Sequence, residues 1–124
     1  MSDPQEVAKA FVTHFYQSFD NNAQSLAGLY NDTSMLTFEG DQFQGSQAIV
    51  AKLAQVGKCF HNVKSMDVQP SAAGNAIVIF VTGHVRIGDA QGNPLHFCEL
   101  FQLVSTGPGA YYVHNDIFRL NYGL

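Results

Sequence analysis

Over the first twenty residues the apolar positions return every three or four steps. Val7, Phe11, Phe15 and Phe19, joined by Ala8, Val12 and Tyr16, make one broad stripe, the signature of a helix that packs on something large and flat. Asp3-Pro4-Gln5-Glu6 precedes the stripe with a capping side chain, a proline at the first helical position and a glutamate placed to return a hydrogen bond. A helix is therefore expected from there to Asp20. A short second helix is predicted over residues 23–30, broken by Asn31-Asp32-Thr33. A third should start at Ser46 as its cap and run to about Val56, before Gly57. Its apolar face would be Ala48, Ile49, Leu53 and Val56.

In the second half the period drops to two. Ile77, Ile79, Val81, Val85 and Ile87 alternate with Val78, Phe80, Thr82, His84 and Arg86, as in a long strand with two unlike faces. Gly83 interrupts this run and predicts a bulge or bend, such as a sheet needs to curl around a helix. Further strands are expected over 60–69, ending at Pro70, and over 95–105 and 110–122, the last two joined by the turn signal Thr106-Gly107-Pro108-Gly109. Residues 70–75 and 88–94 read as surface loops. Helices at the front and strands at the back argue for an α+β fold with an antiparallel sheet that curls over the first helix.

Composition adds limits. The 124 residues suit one domain, 1–124, and ten Phe with five Tyr in a chain that is 46% hydrophobic can fill a sizeable core. Six Lys and Arg against ten Asp and Glu leave a net charge of −4. That field repels phosphate backbones and anionic membranes, so no nucleic acid is expected as partner. No run approaches the roughly 20 apolar residues that span a bilayer, and residues 1–5 lack a basic start followed by an apolar stretch. A soluble, intracellular protein without membrane insertion is expected. Its two cysteines, Cys59 and Cys98, are then expected as buried free thiols.

Candidate chemistry gathers in two segments, residues 34–40 and 115–122, each mixing strand-forming apolar residues with an acid. Glu39 beside Phe38 and Asp116 beside Phe118 suggest an apolar depression carrying carboxylates, because a strand tolerates an acid where it meets water or a partner. Asp116 is as well explained by holding its strand, through backbone groups or by pairing with Arg119. His96 and Cys98 alternate to one face and Glu99 to the other, a poor arrangement for a metal, and no metal or cofactor site is expected. Phosphate-cradling glycine loops and nucleophile elbows are not found.

Phe11, His14-Phe15-Tyr16, Phe19-Asp20, the run 34–39, Phe43-Gln44-Gly45, Ile49-Val50 with Lys52-Leu53, Gln69-Pro70 and the run 115–120 stand in fixed order along nearly the whole chain. On these residues the chain resembles the nuclear transport factor 2 family. The resemblance implies a cone-shaped fold, a homodimer packed sheet to sheet, and a carrier that takes the small GTPase Ran in its GDP form into the nucleus by touching phenylalanine-glycine nucleoporins. It implies residence in both cytoplasm and nucleus, at the nuclear pore, and no catalysis. An aromatic side chain of Ran would enter the cavity while its basic residues meet rim acids. By position Phe38, Val56, Cys59, Leu95, Ile117 and Phe118 match the lining, Glu39 and Asp89 the rim acids, and His61 a histidine near the cavity.

The chain departs from that pattern in three places. Loop 88–94 carries Asp89 alone where relatives often have two or more acids. The segment 56–59 is shortened and lacks a Pro-Phe pair, and Pro4 stands where some members have a tryptophan that helps bind nucleoporin repeats. Two other readings stay open. Cone folds also host small isomerases and dehydratases, for which Asp116 with His14, or His61 with a cavity tyrosine, would form an acid/base pair. A dimerising scaffold that binds peptides without Ran is the third.

Overall fold

The computed structural model describes residues 3–88 and 94–121. Helix α1 runs Pro4–Asn21, with Asp3 as its cap accepting from the Gln5 N–H, and a short 3-10 helix follows at Ala23–Leu29. Strands β1 (Tyr30–Phe38) and β2 (Asp41–Gln44) form a hairpin, helix α2 spans Ser46–Val56, and four long strands complete the chain. These are β3 (Cys59–Pro70), β4 (Ala76–Ile87), β5 (Leu95–Gly107) and β6 (Ala110–Asn121).

The strand order is β2-β1-β6-β5-β4-β3. Every ladder is antiparallel except β1 with β6, which is parallel, so the sheet is mixed and the wholly antiparallel expectation is corrected. The reason lies in connection. Three successive reversals from β3 to β6 fix the direction of the last strand, and it then fills the gap beside a strand made at the front of the chain. Periodicity sees faces, not directions.

Alternation sends Ile77, Ile79, Val81 and Val85 of β4 and Phe97, Phe101 and Leu103 of β5 to one buried face, where α1 lays Ala8, Val12, Phe15, Tyr16 and Phe19. Phe15 meets Phe101 edge-on at 4.8 Å, a favoured aromatic geometry. On α2 the buried residues are Ile49, Val50 and Leu53; Ala48 is exposed and Val56 half-buried. Its cap is Gly45, at φ +88°, rather than Ser46, whose hydroxyl instead donates to the Ala27 carbonyl at 2.8 Å and ties α2 to the 3-10 helix.

Two irregularities set which side chains face inward. In β3 the register slips between Val63 and Ser65, opposite Gly83, which places the predicted bulge on the neighbouring strand. In β6 it slips at His114, between Val113 and Asn115. One extra residue reverses the alternation, so Val113 is followed inward by Asp116 and Phe118 instead of Asn115 and Ile117.

Candidate functional site

Three phenylalanines from three strands stack in the cone. Phe38 of β1 lies parallel to Phe118 of β6 at 4.7 Å and 7°, and Phe118 continues onto Phe97 of β5 at 5.6 Å and 15°. The parallel register brings the first two side by side, Phe38 opposite Phe118. Lys52 of α2 holds its ammonium 5.2 Å above the Phe38 ring and 5.8 Å above Phe43, so a cation already sits on an aromatic face at this end. Val56 and Leu95 are half-buried and pack against the hydrophobic core to which these rings belong. Phe38 is 9% exposed and Phe118 3%. The stack is thus largely closed.

Ile117 is not part of this lining. It is 44% exposed on the outer face, in one register row with Leu100 and with Phe80, itself 40% exposed. The bulge at His114 is the cause, and Phe118 alone of that pair turns inward.

Cys59 is 1% exposed at the wall. Burial, helped by the charge of Asp20, pushes its thiol up to about 11, so it stays a neutral packing group at physiological pH. Cys98, expected as buried, is half-buried on the outer side; both cysteines are free.

His61 is fixed by Asp20, the last acid of α1. The carboxylate accepts from the His61 backbone N–H at 2.9 Å and contacts its Nδ1 at 2.6 Å, which places the imidazole proton on Nδ1. The ring is packed against Tyr16 at 4.7 Å, Phe19 at 5.0 Å and Phe97 at 5.3 Å. One aromatic layer therefore runs from Phe38 to Phe19 with His61 within it. Asp20→Ala would leave two donors without an acceptor and is expected to cost about 3 kcal/mol, read as a shift in the urea midpoint.

Glu39 occupies the hairpin turn between β1 and β2 at φ +51°, followed by Gly40 at +91°. Two positive φ values are what a two-residue type I′ turn requires, and a non-glycine residue there carries about 1 kcal/mol of strain. Contacts to β6 offset it. The Glu39 N–H donates to the Phe118 carbonyl at 3.1 Å, and its Oε1 accepts from the Leu120 N–H. The acid expected at the rim is half-buried and doubly anchored to the strand that carries Phe118. Asp89, the second expected rim acid, lies outside the described residues.

Asp116 is fully buried, and its Oδ2 accepts from the Tyr30 hydroxyl at 2.8 Å. Arg119, at an odd step from Asp116, faces outward and is exposed, so the expected pairing between them is absent. Nor does the structure assemble Asp116 with His14, which stands on the exposed side of α1 among Lys9, Thr13 and Gln17. The other acid/base pairing, His61 with a tyrosine, is a ring contact with Tyr16, whose hydroxyl donates to Glu99 Oε1 at 2.8 Å. Glu99 is 1% exposed. Sequence reasoning used Glu99 only to reject a metal, although its step from Phe97 and Phe101 already marked it as inward.

The model of the nuclear transport factor 2 domain matches residues 7–120. Nuclear transport factor 2 from Oryza sativa subsp. japonica is 48% identical over 123 residues, covering 98% of this chain and 99% of that protein. Nuclear transport factor 2B from Arabidopsis thaliana is 47% identical over 122 residues, with 97% and 96% covered. Among solved structures, nuclear transport factor 2 from Cryptosporidium parvum superposes with a TM-score of 0.86 at 42% identity, over 95% of this chain and 94% of that one.

Proposed function

Because this chain belongs to the nuclear transport factor 2 family, we propose that it is a nuclear import carrier, one domain that binds Ran in its GDP form and moves it between cytoplasm and nucleus. The observation that carries the reading is near-full-length identity of 47–48% to proteins of that name. The geometry is compatible with it. An incoming aromatic side chain would meet the apolar side chains of Phe38, Val56 and Leu95, with Glu39 next to Phe38 to select a basic partner. Apolar contact contributes a few kcal/mol, and the rim charge speeds encounter.

The partner copy of a homodimer would cover the row Phe80, Leu100 and Ile117, two of whose members are exposed large apolar side chains. Ile117 accordingly moves from the cavity lining to the dimer face. Contacts to phenylalanine-glycine nucleoporins follow from the family, with Pro4 in place of an N-terminal tryptophan leaving other apolar groups to make them. The reading has no catalytic step. His61 is bound by Asp20, and Asp116 and Glu99 are sealed from solvent.

Ran loaded with GDP should bind the purified chain, and Ran loaded with a GTP analogue should not. Glu39→Lys is expected to weaken binding at least about tenfold by reversing a rim charge. Because Glu39 also accepts from Leu120, Glu39→Gln serves as the control that keeps the acceptor and removes only the charge; it should lose affinity without losing stability. Equal binding to both nucleotide states, or full binding by Glu39→Lys, would overturn the proposal.

A further inference from the structure

We infer that Glu99 and Asp116 hold one proton between them, Glu99 donating and Asp116 accepting, so that the core of this fold contains a proton-binding site. The two carboxyls belong to adjacent strands and the same inward face. In the register Glu99 stands opposite Phe118 and Asp116 opposite Phe101, which makes them diagonal neighbours. Both are sealed, at 1% and 0% exposure.

Counting donors leads to the proton. Four carboxyl oxygens receive two tyrosine hydroxyls, Tyr16 on Glu99 Oε1 and Tyr30 on Asp116 Oδ2, each at 2.8 Å. Asp116 Oδ1 is buried without a hydrogen-bond partner, and the acid that faces it is Glu99. Two ionised carboxylates side by side in an apolar core would repel each other with no cation to compensate. Among the described residues the one ion pair within 4 Å is His61 with Asp20. The titratable groups that act on the two acids are Tyr16 from α1, Tyr30 from β1 and Cys98 from β5, none of them basic. A single carboxylic proton on Glu99, directed at Asp116, satisfies the orphaned oxygen and removes one of the two charges.

The assignment of donor and acceptor follows from their surroundings. Burial and then the neighbouring Asp116 charge hold the Glu99 carboxyl well above its ordinary range. Burial also raises Asp116, but the bonds from Glu99 and Tyr30 favour its charged form. Both tyrosines are pushed up by burial and then by the carboxylates, and stay neutral donors.

A consequence follows for pH. In the unfolded chain both acids ionise near about pH 4, whereas the folded chain retains one proton well above that. The stabilisation is therefore fully present at low pH and is lost as pH rises toward the folded titration. Over that window each pH unit should raise the unfolding equilibrium constant by about tenfold through this site. The inference goes beyond the carrier reading and does not depend on it.

The test compares urea unfolding of the full chain and of Glu99→Gln from about pH 4.5, just above the unfolded titration, up to about pH 8.5 at one protein concentration. A glutamine accepts from Tyr16 and donates an amide N–H to Asp116 without storing a proton. The wild type is expected to lose stability with pH about tenfold per unit more steeply than the variant; equal slopes would overturn the inference. Carboxyl carbon resonances of the unaltered protein give a second reading should the variant fail to fold. Glu99 should titrate well above the ordinary glutamate range, and titration within that range would overturn it.

Discussion

Gly83→Ala is expected to destabilise the protein by about 3 kcal/mol or more, at the upper end of what overpacking costs. A Cβ built at this position falls 2.2 Å from the Asn62 carbonyl oxygen and 3.1 Å from Phe97 Cε1. A side-chain tip could rotate away from such a contact. The Asn62 carbonyl cannot, because it is backbone of β3, paired with β4 and next to the slipped register at Val63 and Ser65. Relief requires β3 and β4 to part, and β3 carries Cys59 and His61. A large drop in the urea midpoint with the fold retained at low denaturant is the expected result. An unchanged midpoint would mean that the two strands separate at little cost.

Phe118→Ala should cost about 3–5 kcal/mol, the range for truncating a buried aromatic. Phe118 is the middle ring of three, so its loss removes two stacked contacts at once and leaves Phe38 and Phe97 facing a void. The neighbouring walls resist collapse. The backbone of Phe118 is bonded to Glu39, and Phe118 is paired with Phe38 of β1 on one side and Glu99 of β5 on the other. Phe118→Leu keeps much of the volume and should lose less than half as much; near-equal costs for the two variants would show that ring stacking, not volume, dominates. Thermal and urea unfolding both measure this, and under the carrier proposal Ran binding should fall in the alanine variant even where the fold survives.

Elements with a strong period were legible in the chain. The stripe from Val7 to Phe19 became α1, and the alternation from Ile77 to Ile87 became β4, because each pattern spans enough residues to bury a whole face. β2 was not, since Asp41-Gln42-Phe43-Gln44 has one apolar residue in four and is held by hairpin geometry rather than by burial. The signal available was Glu39-Gly40 followed by Phe43, a two-residue turn with a short return strand.

For the candidate site, facing was the part that the sequence did not carry. Phe38, Cys59 and Phe118 sit in the hydrophobic core. Ile117 does not, because a single extra residue at His114 reverses the faces of everything after it, and a bulge leaves little mark on composition. Long-range polar pairings were equally hidden. Asp20 with His61 spans 41 residues and Tyr16 with Glu99 spans 83, and only the closed fold brings them within a hydrogen bond.

The slipped register in β3 has a consequence at the level of assembly. β3 is the outermost strand at one end of the sheet and β2 at the other, and an open strand edge is a template for endless lateral addition. β2 offers four residues, too few to seed it. β3 is long, but Lys64 protrudes at its bulge and Pro70 at its end withholds a backbone donor. Both edges are therefore poor templates for fibres, and the exposed Phe80 and Ile117 lie on the outer face of inner strands rather than on either edge.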